Sequence, residues 1–540
     1  MPARLAVLSL SLALGLSACG SDDETDALTG PATLIPAGAP LYIETVVSPE
    51  GEQAENLEAL VSELGELPLI GEVADPGELL TEQLDSAAAA SGVDFSFSED
   101  VEPWLGERLA VGYTPVDGEL ESFVAVLETT DEDLARESLD RILAGDSVEN
   151  EELEYEGVTY STTPEGEYGI GVFDGHVVLA TLDQFETAID TSQGEESLAE
   201  SEKLAGSLGA LGEGRLGALY FDLASFEEFA DTPEDAEEFA QAQEAAPEIF
   251  ENGFAVSVGV EADQVYFEQA TPLLEGQPEL GESPLLAEAP GDSIGAYALE
   301  DIGSAGPAIA DFLDRIADAG ADLENYPEGG AAAGFEEVTG VSLDEASGAV
   351  GDGAIWVRGE LPDGIEIAGE IEVSDEAVAE DLLGALRLQA DNEPTVRVGT
   401  AVGDASVGFS VEEVEKTTSD DLPFGNVELV DGKIEFGFFE SREAAEASST
   451  EDAGAFGDTD GFASADDAMG DEFELVGAVD LGPILDEFVA SPSLPDAILG
   501  GSSPEALITG FFVDKLGVVA VGQAYSDGYS VQRFAVRLAE

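Results

Sequence analysis

The sequence predicts an α+β protein of two duplicated modules, each an antiparallel, hairpin-built sheet with helices packed on one face. Three observations carry that prediction. Similar segments recur in unchanged order about 250 positions apart. Asp-Gly pairs sit between apolar runs, and a two-residue turn of that kind joins antiparallel neighbours because both central residues take positive φ. Helical segments follow hairpins rather than every strand, which argues against a doubly wound parallel sheet.

The first module opens with Leu41-Tyr-Ile-Glu44. Leu109–Tyr113 and Phe123–Leu127 flank Asp117-Gly118 as a hairpin. Thr129-Thr-Asp-Glu132 has capping-box spacing, and Leu134, Leu139, Ile142 and Leu143 then recur at helical intervals. Tyr168–Phe173 and His176–Ala180 flank Asp174-Gly175 and lead into a helical segment, Asp183–Ile189. Leu219-Tyr-Phe-Asp222 and two strand-like runs, Ala255–Val260 and Val265–Gln269, close the module.

The second module follows the same plan. Ile294–Tyr297 opens it, and Ala354–Arg358 and Ile367–Ile371 flank Asp363-Gly364. Ser374-Asp-Glu precedes a helix marked by Val378, Leu382 and Leu386. Val427–Val430 and Lys433–Phe436 flank Asp431-Gly432, with Ser441–Ala445 after them. Ala478-Val-Asp480, Leu516–Val521 and Tyr529–Val536 complete the match. The modules are read as residues 34–285 and 286–540, with a Pro-rich boundary from Pro272 to Pro290. Residues 448–471, rich in Ala, Gly and Asp, are read as an exposed, mobile acidic insertion.

The N-terminus carries an address. Arg4 is followed by an apolar run from Leu5 to Leu16, too short to span a bilayer as a helix. Residues 1–18 read as a signal peptide. Leu16-Ser-Ala-Cys19 is similar to the bacterial lipobox, whose cysteine becomes the acylated first residue of the mature protein. Cys19 is the one cysteine of the chain, so lipidation leaves no thiol for a disulfide, a metal or a nucleophile. Residues 19–33 read as an acidic flexible tether, its small polar stretch reaching roughly 18 Å. The expected location is extracytoplasmic, anchored to the cell membrane through acyl chains on Cys19.

Charge removes whole classes of partner. Among 540 residues, 119 are Asp or Glu and 16 are Lys or Arg, a formal charge of −103. Nucleic acid and anionic lipid heads would be repelled. The chain is nonetheless 44% hydrophobic, so it folds rather than trailing as an acidic tail. With the charge spread over a folded surface, neighbours stand roughly 13 Å apart, only partly screened by the Debye length of about 8 Å at physiological salt and fully screened by that of about 3 Å at 1 M. The acidity reads as adaptation to a saline or strongly hydrating exterior.

Few residues stand out as chemistry. The single His176, directly after a turn and matched by Lys433 in the second module, reads as solvent-facing. Gly291-Asp-Ser293-Ile-Gly295 has the nucleophile-elbow spacing, but a strand-like run follows it and the only histidine lies upstream. No Ser-x-x-Lys motif, phosphate loop or dinucleotide fingerprint occurs. Trp104 and Trp356 read as core filling. Calcium is the one cofactor considered: Asp458, Asp460, Asp466 and Asp467 supply oxygen ligands in a Gly-containing segment, though Phe456 stands where an EF-hand begins and the closing Glu is missing. A solvated acidic loop is the alternative.

Ile35-Pro-Ala-Gly-Ala-Pro-Leu-Tyr-Ile-Glu44, with Pro49-Glu-Gly-Glu-Gln53 after it, resembles the opening of the mostly actinobacterial family known as domain of unknown function 3352. Phe173–Ala180 and Gln184–Asp190 resemble that family's interior. The resemblance implies an envelope location and no established activity, so it assigns no catalytic residues. The leading expectation is a non-catalytic, lipid-anchored protein that binds or scaffolds an unidentified envelope protein or ligand. A carboxylate-based hydrolase of cell-wall glycan and a solute-binding lipoprotein of a transporter are the alternatives.

Overall fold

The computed structural model describes residues 30–65, 96–116, 119–145, 151–163, 166–212, 214–229, 232–319, 326–327, 329–359, 365–392, 396–399, 407–411, 424–439, 454–482, 484 and 516–539. The expected signal peptide, Cys19 and the turns expected at Asp117-Gly118 and Asp363-Gly364 lie outside the described residues. The chain divides into two compact units. Among the described residues, unit 1 takes those up to Gln243, Pro247–Pro272 and Ser526–Val531, and unit 2 takes Glu244–Ala246, Leu273–Tyr525 and those from Gln532. The division after Pro272 puts most of the Pro-rich stretch in unit 2.

Unit 1 contains β1 (Leu41–Val46), β2 (Leu105–Val116), β3 (Glu119–Thr129), β4 (Glu151–Tyr155), β5 (Val158–Thr162), β6 (Tyr168–Phe173), β7 (His176–Thr181), β8 (Arg215–Phe221), β9 (Phe254–Glu261) and β10 (Gln264–Pro272). Neighbours run β4-β5-β6-β7-β3-β2-β1-β8-β9-β10, every register antiparallel. Unit 2 contains β11 (Ser293–Leu299), β12 (Val350–Arg358), β13 (Glu366–Val373), β14 (Val396–Gly399), β15 (Val407–Val411), β16 (Phe424–Val430), β17 (Lys433–Phe439), β18 (Glu474–Asp480) and β19 (Leu516–Ser526). Its order is β14-β15-β16-β17-β13-β12-β11-β18-β19, again antiparallel throughout. After β19 comes β20 (Tyr529–Leu538), which pairs with it and which the partition splits after Val531. Counted from its own first strand, each unit has the same order.

The Asp-Gly turns that are described behave as the sequence predicts. Asp174 and Gly175 have φ of 51° and 77°, and Asp431 and Gly432 have 49° and 81°. Positive φ at both positions matches the right-handed twist of the strands they join.

Helices do not keep to one face, which corrects the expected arrangement. In unit 1, Leu109, Leu127, Val177 and Val172 face one way and form a core with Trp104, Phe97 and Ala135, the last on the helix Glu132–Gly145. The opposite face presents Val126 and Val178, both fully buried. There the helix Leu182–Ser192 inserts Phe185, whose ring lies 2.8 Å from where a Cβ on Gly169 would sit. The physical reason is legible in Phe123-Val-Ala-Val-Leu127, which is apolar at successive positions rather than alternate ones, so both faces need cover.

Two further expectations change. The last residues of the expected tether are ordered instead, because Pro31–Leu34 is a 3-10 turn with Pro31, Ala32 and Leu34 buried. The described part of the expected mobile insertion, residues 454–471, is ordered into a 3-10 turn, Phe456–Asp458, and a helix, Asp460–Met469. The Thr459 hydroxyl caps that helix by accepting from the Phe462 N–H at 3.1 Å, and Phe456, Ala465, Ala468 and Met469 are buried. Small Ala and Gly here permit close packing rather than looseness. In unit 1 the helix Glu202–Gly209 is capped the same way by Ser201.

Candidate functional site

A cleft of about 420 Å³ opens in unit 1 where the end of β3 meets the starts of β2 and β7. Ser48, Glu50, Glu107, Glu128, Thr130 and His176 supply its polar groups. The sheet brings them together by register: Glu128 lies directly opposite His176 in the β3–β7 ladder. Gly106 makes the approach of β2 possible, since a Cβ there would lie 2.6 Å from the Glu128 Cβ. The β2–β3 register shifts beside it, between Leu105 and Leu109. Bulges of this kind re-aim side chains.

Two of the cleft's carboxylates, Glu107 and Glu128, have Arg108 behind them. The Arg108 N–H donates to Glu128 Oε2 at 3.1 Å, and the Arg108 guanidinium donates to Glu44 Oε1 at 3.1 Å and lies 3.9 Å from Glu107 Oε1. Glu44 is buried and accepts from the hydroxyl of fully buried Tyr42. Burial raises the Tyr42 hydroxyl well above its ordinary range, with the Glu44 charge adding to it. Burial also raises the Glu128 carboxyl, against the pull of Arg108. The Gly175 N–H donates to Glu132 Oε1 at 2.7 Å, which holds the Glu132 carboxylate below its usual range.

His176 departs from the sequence reading. It is half-buried at the cleft wall rather than solvent-facing, and burial lowers its imidazole below 6.5. Its Nδ1 lies 2.6 Å from the Asp174 carbonyl oxygen. That acceptor requires the proton on Nδ1, so Nε2 of the neutral ring is an acceptor. A carboxyl whose pKa burial raises and an imidazole whose pKa burial lowers thus stand opposite each other in the ladder. Such an arrangement can exchange a proton with a ligand or hydrogen-bond a polar one.

The other sequence candidates do not join this site. Cys19 lies outside the described residues. Asp458, Asp460, Asp466 and Asp467 are all exposed along one turn and one helix in unit 2, and Asp467 lies 3.6 Å from the Arg537 guanidinium. Among the described residues no group of three or more His, Cys, Asp or Glu side chains is placed to hold a metal ion. Ser293 is a buried residue at the start of β11, in a strand rather than a strand-to-helix elbow. Trp104 and Trp356 are buried.

Glu107 and Glu128 were missed because acidic residues are too frequent in this chain to signal anything singly. The usable signal was positional. Glu128 ends a long apolar run, where an ionisable group is half inside the fold.

No curated protein matches the chain. The family described as Protein of unknown function (DUF3352) matches residues 72–346, more than half of the sequence and reaching from unit 1 into unit 2. The chain belongs to that family.

Proposed function

We propose that this is a lipid-anchored, extracytoplasmic envelope protein of two duplicated α+β modules that binds a partner or ligand rather than turning it over. The observation that carries the location is Leu16-Ser-Ala-Cys19 after the apolar run, with the single cysteine of the chain in the position that lipidation requires. Among the described residues no helix is long and apolar enough to cross a membrane, and the acyl chains supply the attachment.

Duplication is supported by details beyond the shared strand order. The Leu198 N–H donates to the Ile35 carbonyl and the Phe456 N–H to the Ala289 carbonyl, each at 2.7 Å. Pro36 bridges Ser197 in unit 1, and Pro290 bridges Ala455 in unit 2. Irregular connections have many solutions, so their recurrence at matched places favours common descent over convergence.

Binding is favoured by the cleft of unit 1, where the Arg108 N–H holds Glu128 and the Arg108 guanidinium lies near Glu107 before any ligand arrives. The carboxylate-hydrolase reading keeps one specific support, the raised Glu128 carboxyl beside Glu107 and Glu50. Expression with its own leader in a bacterium, followed by intact mass measurement, tests the location. The expected product begins at diacylated Cys19 and partitions into detergent, and Cys19→Ser releases it to the aqueous phase. An unmodified Cys19 contradicts the anchor. Turnover of peptidoglycan fragments that vanishes in Glu128→Gln would replace binding with hydrolysis.

A further inference from the structure

The hairpin of β4 and β5 presents an edge whose only described neighbour is its own second strand. β4 pairs β5 over its whole length, from Glu151 opposite Thr162 to Tyr155 opposite Val158. Glu156 and Gly157 form the turn with φ of 44° and 86°, so Tyr155 and Val158 close a two-residue loop as a hydrogen-bonded pair. Alternation then directs the main-chain groups of Glu151 and Leu153 inward to β5. Those of Glu152 and Glu154 point outward, away from the sheet. Both side chains lie on one face of the strand and are exposed.

This edge is fixed from its flank rather than from its sheet. β5 meets β6 at only Ser161 opposite Ile170 and Thr162 opposite Gly169. The helix Leu182–Ser192 and the residue after it do the rest. Tyr155 donates its hydroxyl hydrogen to Asp190 Oδ2 at 3.2 Å, Tyr160 to Glu186 Oε1 at 3.4 Å, and Gln193 Nε2 to the Glu156 carbonyl at 3.2 Å. A strand edge held in this way is preorganised to accept another strand.

We propose that β4 is a strand-addition site for an extended, basic segment of a partner protein, with Lys or Arg at alternate positions. The outward N–H and C=O groups of Glu152 and Glu154 pair with the incoming main chain, and the two carboxylates meet the alternate basic side chains on the same face. Charge decides the occupant. A second copy of this chain, at −103, sets like against like, which is how acidic edges prevent self-pairing. A basic strand reverses the sign of that term.

The test titrates the full chain at low salt with a short peptide of alternating lysine and valine, and with an equally charged peptide in which proline replaces valine. The alternating peptide is expected to bind and to slow hydrogen exchange at the Glu152 and Glu154 amides, and the proline peptide to do neither. Glu154→Pro removes one outward N–H and no β4–β5 bond, and it weakens binding about tenfold. The double variant Glu152→Gln, Glu154→Gln retains the ladder and also weakens binding about tenfold or more. Equal binding of the two peptides, binding without protection of those two amides, no binding, or full binding by the Gln variant overturns the proposal.

Discussion

At matched places in the two strand orders, unit 1 sets Glu128 opposite His176 across β3 and β7, and unit 2 sets Glu372 opposite Lys433 across β13 and β17. The layers behind these pairs differ more. In unit 1, Tyr42 faces Gly112 and Glu44 faces Ala110. In unit 2, Ala296 faces Trp356 and Ala298 faces Ala354. The large residue has changed strand, so side-chain bulk is conserved across the ladder rather than at a position. The polar residue has gone altogether. A buried Arg–Glu pair is often no more stabilising than an apolar layer of similar volume, and unit 2 has the apolar layer. Unit 1 keeps Arg108, Glu44 and Tyr42 linked to one another beside the cleft, and unit 2 places its own buried ion pair, Arg358 with Glu366, elsewhere.

Substitutions can break or sharpen that contrast. Trp356→Ala removes the filler of unit 2 and is expected to cost about 3–5 kcal/mol, read as faster hydrogen exchange in β11 and β12 with unit 1 unchanged. Arg108→Met leaves Glu44 buried without its cation and costs about 3 kcal/mol. Adding Glu44→Leu should recover most of that loss in denaturant melts, and a failure to recover would show that more than one ion pair depends on Arg108. Gly112→Ala places a Cβ 2.5 Å from Ile35 Cγ2 and costs about 1–3 kcal/mol by overpacking, where unit 2 accepts a whole indole. Ser201→Ala and Thr459→Ala should each cost about 1 kcal/mol as lost N-caps. An effect at only one of them would separate the two helices that the matched capping bonds equate.

Much of the architecture was legible because hairpins are local. Asp174-Gly175 and Asp431-Gly432 specify their turns through two adjacent residues, and the flanking runs supply the register. The second helical layer of unit 1 was not legible, since Phe123-Val-Ala-Val-Leu127 reports that both faces are buried without saying what covers them. Residues 454–471 misled for a related reason. Ala465 and Ala468 look like loop composition, yet they are buried, as are Phe456 and Met469. The cleft was hidden more deeply. It depends on Gly106 letting β2 close on Glu128, on a shifted register, and on Arg108 reaching Glu44 across the β1–β2 pair. None of these is a property of neighbouring residues in sequence. His176 stands out in the sequence, but its match to Lys433 suggests a surface position, although the two cross-strand pairs differ in surroundings as well as in identity.

The single histidine offers the most direct test of this account, because imidazole resonances in the proton spectrum report one group. With its folded pKa lowered by burial, His176 remains neutral where the unfolded chain already binds a proton. It therefore contributes stability above 6.5 that is lost as pH falls through its lowered value. Lys433 has no matching titration in that range. A proton titration of the full chain is predicted to give one imidazole midpoint below 6.5, with neighbouring β3 and β7 amides shifting at the same pH. A midpoint at or above 6.5, with those amides unmoved, would mean that His176 is a solvated surface residue and that the cleft is not the organised polar site described here.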